Sequence, residues 1–509
     1  MKFSKLITLL CAGGLFLTTT GCEKDLLDKT NPNAPSTADF WKTSDDAVKG
    51  VYACYSGLQQ FAVYYRSWQF MAHRSDESYS QSPFVELANF TRFITPDQNF
   101  FISSFAWNDY YRTIFRTNQV LTHVPGIEME ATLKNRLLAE THFIRALSYF
   151  DLAYFFGRIP LITVESTVTT RVKQSTQAEA EALIISDLQA AIPNLPLEYG
   201  AAEKGRVTKG AAQALLARVY LHQGKFAEAS ALFTEIINAG KYSLVSNYLD
   251  NFTAANENNS ESLFEVQFTD AVLEVGQGQD NAAASESWDR PNFFGPPGPT
   301  FADVQPRRWL LDEYKDSTVS FAPGSTTKHL IDPRRDISII SSKNPDVFYG
   351  KTFSQWGWNP SQQYWRKYLN DRTRVNENFT SGINFRLIRY ADVLLMQAEA
   401  LTELGKQADA LPLVNKVRAR VDLAPITGSL SQDETRLLVR SERAKELAGE
   451  GTRWFDILRW GLMDNQAGID ELKSRDPDFA NFRLGISKLL PIPQRDIDID
   501  PGVTQNPGY

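Results

Sequence analysis

Apolar residues recur at three- and four-residue steps along most of this chain, the repeat that gathers them on one face of an α-helix. From Asp45 onward, Val48, Val51, Tyr52, Tyr55 and Leu58 follow that step and predict a helix resting on a core. Residues 140–156 predict an aromatic-rich helix stopped by Gly157 and Pro160. Thr176 and Glu179 have the spacing of a capping box and open a helix carrying Ile185, Leu188 and Ile192 as far as Pro193. Ser431 and Glu434 repeat that start for a helix to about Ala448, and residues 453–460 form a short one after Gly449 and Gly451.

One stretch is an internal repeat. Ala217, Tyr220, Gly224, Phe226, Ala229 and Phe233 place small residues where two helices cross closely and rings where they wedge apart, the pattern of a tetratricopeptide helix pair. The same spacing returns 181 residues later in Ala398, Leu401, Gly405, Ala410 and Val414. A mostly α fold of such pairs is predicted.

Between 251 and 381 the pattern breaks. Gly276, Gly278, Gly295, Gly298, Gly324 and Gly350, with Pro291, Pro296, Pro297, Pro299, Pro306 and Pro323, interrupt any long helix, yet Trp, Tyr and Phe stay frequent. Long loops rich in rings are functional rather than disordered. A short strand over 262–268 is expected to anchor them. The chain therefore divides into a leader (1–21), a tether (22–44), an N-terminal helical region (45–250), a loop-rich ligand-binding region (251–381) and a C-terminal helical region (382–509).

The leader has Lys2 and Lys5, then the apolar stretch 6–17, then Thr18, Thr19, Thr20, Gly21 and Cys22. That is the pattern of a secretory signal peptide, too short to span a bilayer. A small residue before Cys resembles a bacterial lipobox, so Cys22 is expected to be acylated and to become the first mature residue. Acyl chains contribute about 0.8 kcal/mol per buried methylene, enough for two or three to hold a soluble body on a membrane. With Cys11 in the leader and Cys22 lipidated, Cys54 is left alone, and the body is held by its core rather than by disulfides. The formal charge of −7 becomes −9 on losing Lys2 and Lys5 with a leader that has no acidic residue. An acidic chain without basic runs is a poor nucleic-acid binder.

The run Leu387, Ile388, Arg389, Tyr390, Ala391, Asp392, Val393, Leu394, Leu395, Met396, Gln397, Ala398, Glu399, Ala400 resembles the SusD/RagB family. So do Glu442 to Leu447 (ERAKEL), Gly451 to Gly461 (GTRWFDILRWG), Leu490 to Pro493 (LPIP) and the closing Gln505, Asn506, Pro507, Gly508 and Tyr509. Nearer the start, Asp39, Phe40 and Trp41, then Ser75, Asp76 and Glu77, and Arg145 to Phe150 (RALSYF) agree as well. The resemblance implies a SusD-like α/α superhelical scaffold with a loop-rich insertion and few short strands. It further implies a surface lipoprotein of the outer membrane that binds oligosaccharide and passes it to a SusC-like TonB-dependent barrel, with no catalysis and no fixed cofactor.

Sugar rings stack their C–H faces on aromatic rings and need a few oriented polar partners for their hydroxyls. Three groups of residues fit: Trp288, Arg290 and Phe293; Trp356, Trp358 and Tyr364; and Asp76, Tyr79, Phe84 and Arg92. On a strand, Trp356 and Trp358 would share one face. A lid for peptides is the nearest rival within the family.

Other chemistries are weaker. Glu442, Glu446, Glu450 and Asp456 invite a glycosidase pair, but Arg436, Arg440, Arg443, Lys445, Arg453 and Arg459 are interleaved at helical spacing, as ion pairs require. Asp496, Asp498 and Asp500 begin like a calcium loop, yet Pro501 and Pro507 stand where an EF-hand needs Gly and Glu. His73, His123, His142, His222 and His329 have no ligand spacing, Gly276 and Gly278 lack the rest of a dinucleotide fingerprint, and no Gly-x-Ser-x-Gly nucleophile motif occurs.

Overall fold

The computed structural model describes residues 40–94, 97–167, 169–270, 286–314 and 331–509. Cys22, the leader, His329, Gly276, Gly278, Pro323 and Gly324 lie outside them.

Among the described residues, eleven helices form the frame: α1 (Ser44–Leu58), α2 (Phe101–His123), α3 (Ala131–Phe156), α4 (Gln177–Ala191), α5 (Lys209–His222), α6 (Phe226–Asn238), α7 (Tyr390–Glu403), α8 (Gln407–Ala419), α9 (Gln432–Glu446), α10 (Arg453–Arg459) and α11 (Gln466–Arg475). Each of α1 to α5 packs on the next in the chain, and α6 then packs on α7 across the loop-rich insertion. Both predicted repeats are hairpins, α5–α6 and α7–α8, turning at Gly224 and Gly405 with φ of +67° and +72°. Ala217, Ala229, Phe233, Ala398, Ala410 and Val414 are buried at their crossings. The scaffold is thus a stack of helix pairs.

The capping boxes predicted at Thr176 and Ser431 are both formed, and a third at Thr43 opens α1. Helix α3 starts nine residues before the expected position, because the Glu130 carboxylate accepts from the Thr132 and Leu133 amides and caps it there.

Among the described residues the strands are short. Two antiparallel pairs matter to the site: β1 (Ser78–Ser80) with β3 (Val304–Pro306), and β2 (Ser262–Val266) with β4 (Phe385–Arg389). Strand β2 ends two residues earlier than predicted. Strand β4 leads directly into α7, so these pairings sew the insertion to the scaffold at both ends. A small separate apolar cluster of Ile340, Phe348, Tyr349, Phe353, Trp358, Tyr364 and Leu369 lies under the loops.

Candidate functional site

Two exposed rings, Phe84 and Phe301, are joined through half-buried ones in a ribbon. Phe84, 40% exposed, lies 5.6 Å from Phe101, which lies 6.1 Å from Phe105 one turn along α2; Phe105 lies 6.3 Å from Phe61. The Arg66 guanidinium bridges onward, 4.5 Å from the Phe61 ring centre and 4.8 Å from that of Phe293. Phe293 then meets Phe301, 54% exposed, at 5.7 Å and Phe379 at 6.2 Å.

Three elements position these rings. Helix α2 presents Phe101 and Phe105 at i and i+4 on one face. Phe293 lies in the short helix Arg290–Phe294 and rests on buried Phe70. The 296–301 turn throws Phe301 outward while its amide donates to the Asn292 carbonyl at 2.7 Å. The Asn292 side chain accepts from the Phe379 amide at 2.9 Å, tying the last two rings together.

Arg66 is fixed from below by Asp289, a fully buried carboxylate. Burial pushes the Asp289 carboxyl up to about 6, and the Arg66 charge opposes that rise. A guanidinium pinned between two rings leaves its edge to donate to hydroxyls, so the ribbon carries both a stacking surface and a polar anchor.

The residues expected from the sequence separate into two sets. Phe84 and Phe293 belong to the ribbon. Tyr79 and Arg92 are half-buried nearby: the Tyr79 hydroxyl donates to Gln305 at 2.9 Å under the Arg307 guanidinium, and Arg92 donates to the Ser80 carbonyl. Trp356 and Trp358 sit on tight turns rather than a strand, with parallel rings 5.5 Å apart. Trp356 is half-buried, flanked by Lys351 and Gly298; Trp358 and Tyr364 are buried in the small apolar cluster.

Trp288, Arg290 and Asp76 are built into the core. Trp288 has no exposed surface, its indole N–H donates to the Tyr64 carbonyl at 3.1 Å, and its ring stacks on Phe268. Arg290 donates to the carbonyls of Lys367 and Gly449, and Asp76 takes a two-pronged ion pair from Arg453 at 2.6 Å. These three therefore present no surface to a ligand in this structure. Conversely, Phe61, Arg66, Phe101, Phe105, Phe301 and Phe379 were not singled out by the sequence. Phe101 and Phe105 sit on a helix that the sequence pattern did not predict, and only Phe301, directly after a Pro-Gly-Pro-Thr turn, carries a local signal of exposure.

The carboxylates that invited a hydrolytic reading are buried in ion pairs. Glu442 and Glu446 face Arg334, Glu450 faces Lys367 and Arg389, and Asp456 faces Arg443 and Arg459. All four are 3% exposed or less. Asp496 and Asp498 lie in the short helix Gln494–Ile499, and no group of three His, Cys, Asp or Glu suited to a metal occurs among the described residues.

Two family models match in sequence. The one described as "SusD family" covers residues 260–509, and the one described as "Starch-binding associating with outer membrane" covers residues 25–221. A SusD-like protein of Formosa agariphila, P25, is 27% identical over 512 residues, 94% of this chain and 94% of that one. A SusD superfamily protein from Bacteroides vulgatus superposes with a TM-score of 0.80 at 26% identity, over 92% of this chain and all of the other. A laminarin-binding SusD-like protein superposes with a TM-score of 0.75 at 28% identity over the same shares.

Proposed function

This chain belongs to the SusD family, and from that premise we propose that it is a cell-surface lipoprotein that captures an oligosaccharide on the Phe84–Phe379 ribbon and hands it to a SusC-like barrel transporter. The observation that carries this reading is the exposure of linked rings around an arginine pinned by Asp289. Such a surface suits a glycan chain lying along it, with several sugar faces stacked and few hydroxyls stripped of water. The work is reversible capture, so modest affinity per ring suffices and no bond is made or broken.

Neutral β-glucan is the first ligand to try, because a relative of similar length and fold binds laminarin. Isothermal calorimetry against laminarin oligosaccharides and a panel of other neutral polysaccharides tests the reading. Binding to one of them is expected, with Phe84→Ala, Phe293→Ala and Phe301→Ala each weakening it about tenfold, since burying one such ring is worth about 1.5–3 kcal/mol. Unchanged affinity in the triple variant would remove the ribbon from the site. Anchoring through Cys22 has its own test: Cys22→Ser should move the protein from the membrane fraction to the soluble one and end incorporation of labelled palmitate.

A further inference from the structure

A cavity that shares no residue with the ribbon lies between the short helix Arg308–Glu313 and the C-terminal helices α9, α10 and α11. It encloses about 290 Å³, near the lower end for small-ligand sites. Trp309 and Trp460 stand in its wall, both half-buried, and Leu437 lies at its mouth, 57% exposed.

The charges of this cavity are unequal in their bonding. Arg453 is taken by Asp76, and Arg475 by Asp76 and Glu471 at 3.2 and 2.8 Å. Arg440 is different. Its guanidinium lies 4.7 Å from the centre of the Trp460 ring, its Nε–H is shielded from water without a hydrogen-bond partner, and among the described residues no carboxylate stands at ion-pairing distance from it. Burial accordingly draws its pKa down from the usual arginine value. A half-buried guanidinium with no contact ion pair, acted on only at longer range by Glu399, Glu471 and Glu403, is an uncommon arrangement, since a shielded donor left unmade costs about 1–3 kcal/mol. Across the same cavity the Glu313 carboxylate accepts from Ser441 at 2.5 Å and retains lone pairs for further donors.

A ligand that suits this cavity is acidic at one end and rich in hydroxyls at the other, and it meets the edges of the indoles, since the Arg453 guanidinium lies over both rings, 5.4 Å from the centre of Trp309 and 5.3 Å from that of Trp460. We propose that this cavity is a second saccharide site, selective for a sugar bearing a carboxylate or a sulfate ester, whose anionic oxygens pair with Arg440 while its hydroxyls donate to Glu313. It rests on the glycan reading only for the class of molecule, and uses none of the ribbon residues.

The test titrates the full chain with glucuronic acid, glucose 6-sulfate, glucose and sodium sulfate, following calorimetric heat and tryptophan fluorescence. At least one of the two acidic sugars is expected to bind ten times or more tighter than glucose and than sulfate ion, and to weaken as salt rises. Arg440→Gln should cost that ligand at least tenfold while leaving neutral laminarin oligosaccharides unaffected, so loss at this cavity and loss at the ribbon read out separately. Leu437→Asp, at an exposed position, should weaken the acidic sugar by charge repulsion and serves if Arg440→Gln folds poorly. Equal binding of glucose or of sulfate alone, no binding of either acidic sugar, or undiminished affinity in both variants overturns the proposal.

Discussion

Arg389 and Glu446 lie 57 positions apart in the chain and 2.5 Å apart in the fold, with 1% and 0% of their side chains exposed. Arg389 also holds Glu450 and Glu261, each at 2.7 Å, and Glu446 also takes Arg420 at 2.5 Å and Arg334 at 2.8 Å. The pair sits where β4 turns into α7 and meets the end of α9, so it locks the insertion against the C-terminal helices. Removing the Glu446 charge leaves the three arginines that share it, Arg334, Arg389 and Arg420, with an uncompensated positive charge in a dry interior. Glu446→Gln is therefore expected to lower unfolding free energy by about 3–5 kcal/mol, measured by urea denaturation at pH 7.

The same network fixes a pH dependence. Glu446 and Asp456 are held well below the usual carboxylate range by the arginines around them, against the opposing effect of burial. A depressed folded value means that these groups stabilise the fold fully above the unfolded carboxylate range near pH 4, and that this contribution is lost progressively as pH falls from there toward their lower folded values. Glu77 has the opposite sign. It is buried with one carboxylate oxygen unpartnered, and burial raises its pKa to about 8, with Asp76 adding to the rise and Arg453 opposing it. The native state thus keeps a proton that the unfolded chain releases near pH 4, and stability falls from there up to about pH 8. Glu77→Gln is expected to stabilise by on the order of 1–3 kcal/mol at pH 8.5 and by little at pH 4; a Tm series across that range, wild type against variant, reads the difference.

Trp288 and Phe301 divide stability from binding. Trp288 is fully buried against Phe268, Tyr368 and Phe385, so Trp288→Ala should cost about 3–5 kcal/mol and yield little folded protein at 37 °C. Phe301 is 54% exposed, and Phe301→Ala should change stability by less than about 1 kcal/mol while weakening oligosaccharide binding. Circular dichroism melts beside glycan calorimetry separate the two effects.

Those two rings also show how far the sequence could be read. Both lie in the insertion among Gly, Pro and charged residues, and only the Pro-Gly-Pro-Thr turn before Phe301 separates them locally. What buries Trp288 is the Tyr64 carbonyl, 224 positions earlier, and a ring from β4. Helix pairs were legible because their determinants are local: caps at Thr176 and Ser431, turns at Gly224 and Gly405, and small residues at fixed steps. The ribbon was not, because Phe61, Phe101, Phe293 and Phe379 become neighbours only after long-range docking. The ion pairs of α9 were legible in kind but not in partner: Arg334, Arg389 and Arg420 come from outside the helix whose periodicity suggested them.

Gly298 lies in the 296–301 turn, between the Trp358 indole that Pro297 holds and the Phe301 ring. Its φ of +101° is backbone that an L side chain adopts only under strain, and it lies beside the Trp356 ring, where an added Cβ would come to 3.4 Å. That distance is ordinary contact, so the cost of Gly298→Ala is conformational, about 1–2 kcal/mol. The neighbouring Pro297 carbonyl accepts from the Trp358 indole at 2.8 Å, and the Thr300 amide closes the turn on Pro296 at 3.1 Å. A turn that relaxes to relieve the added methyl group must therefore shift either Trp358 or Phe301, three residues on. Because the Trp358 side is packed in a closed apolar cluster and Phe301 faces solvent, the displacement should fall on Phe301. Gly298→Ala is expected to weaken oligosaccharide binding severalfold with a Tm loss of only a few degrees. An affinity equal to wild type in a folded variant would show that the turn does not set the ring's position.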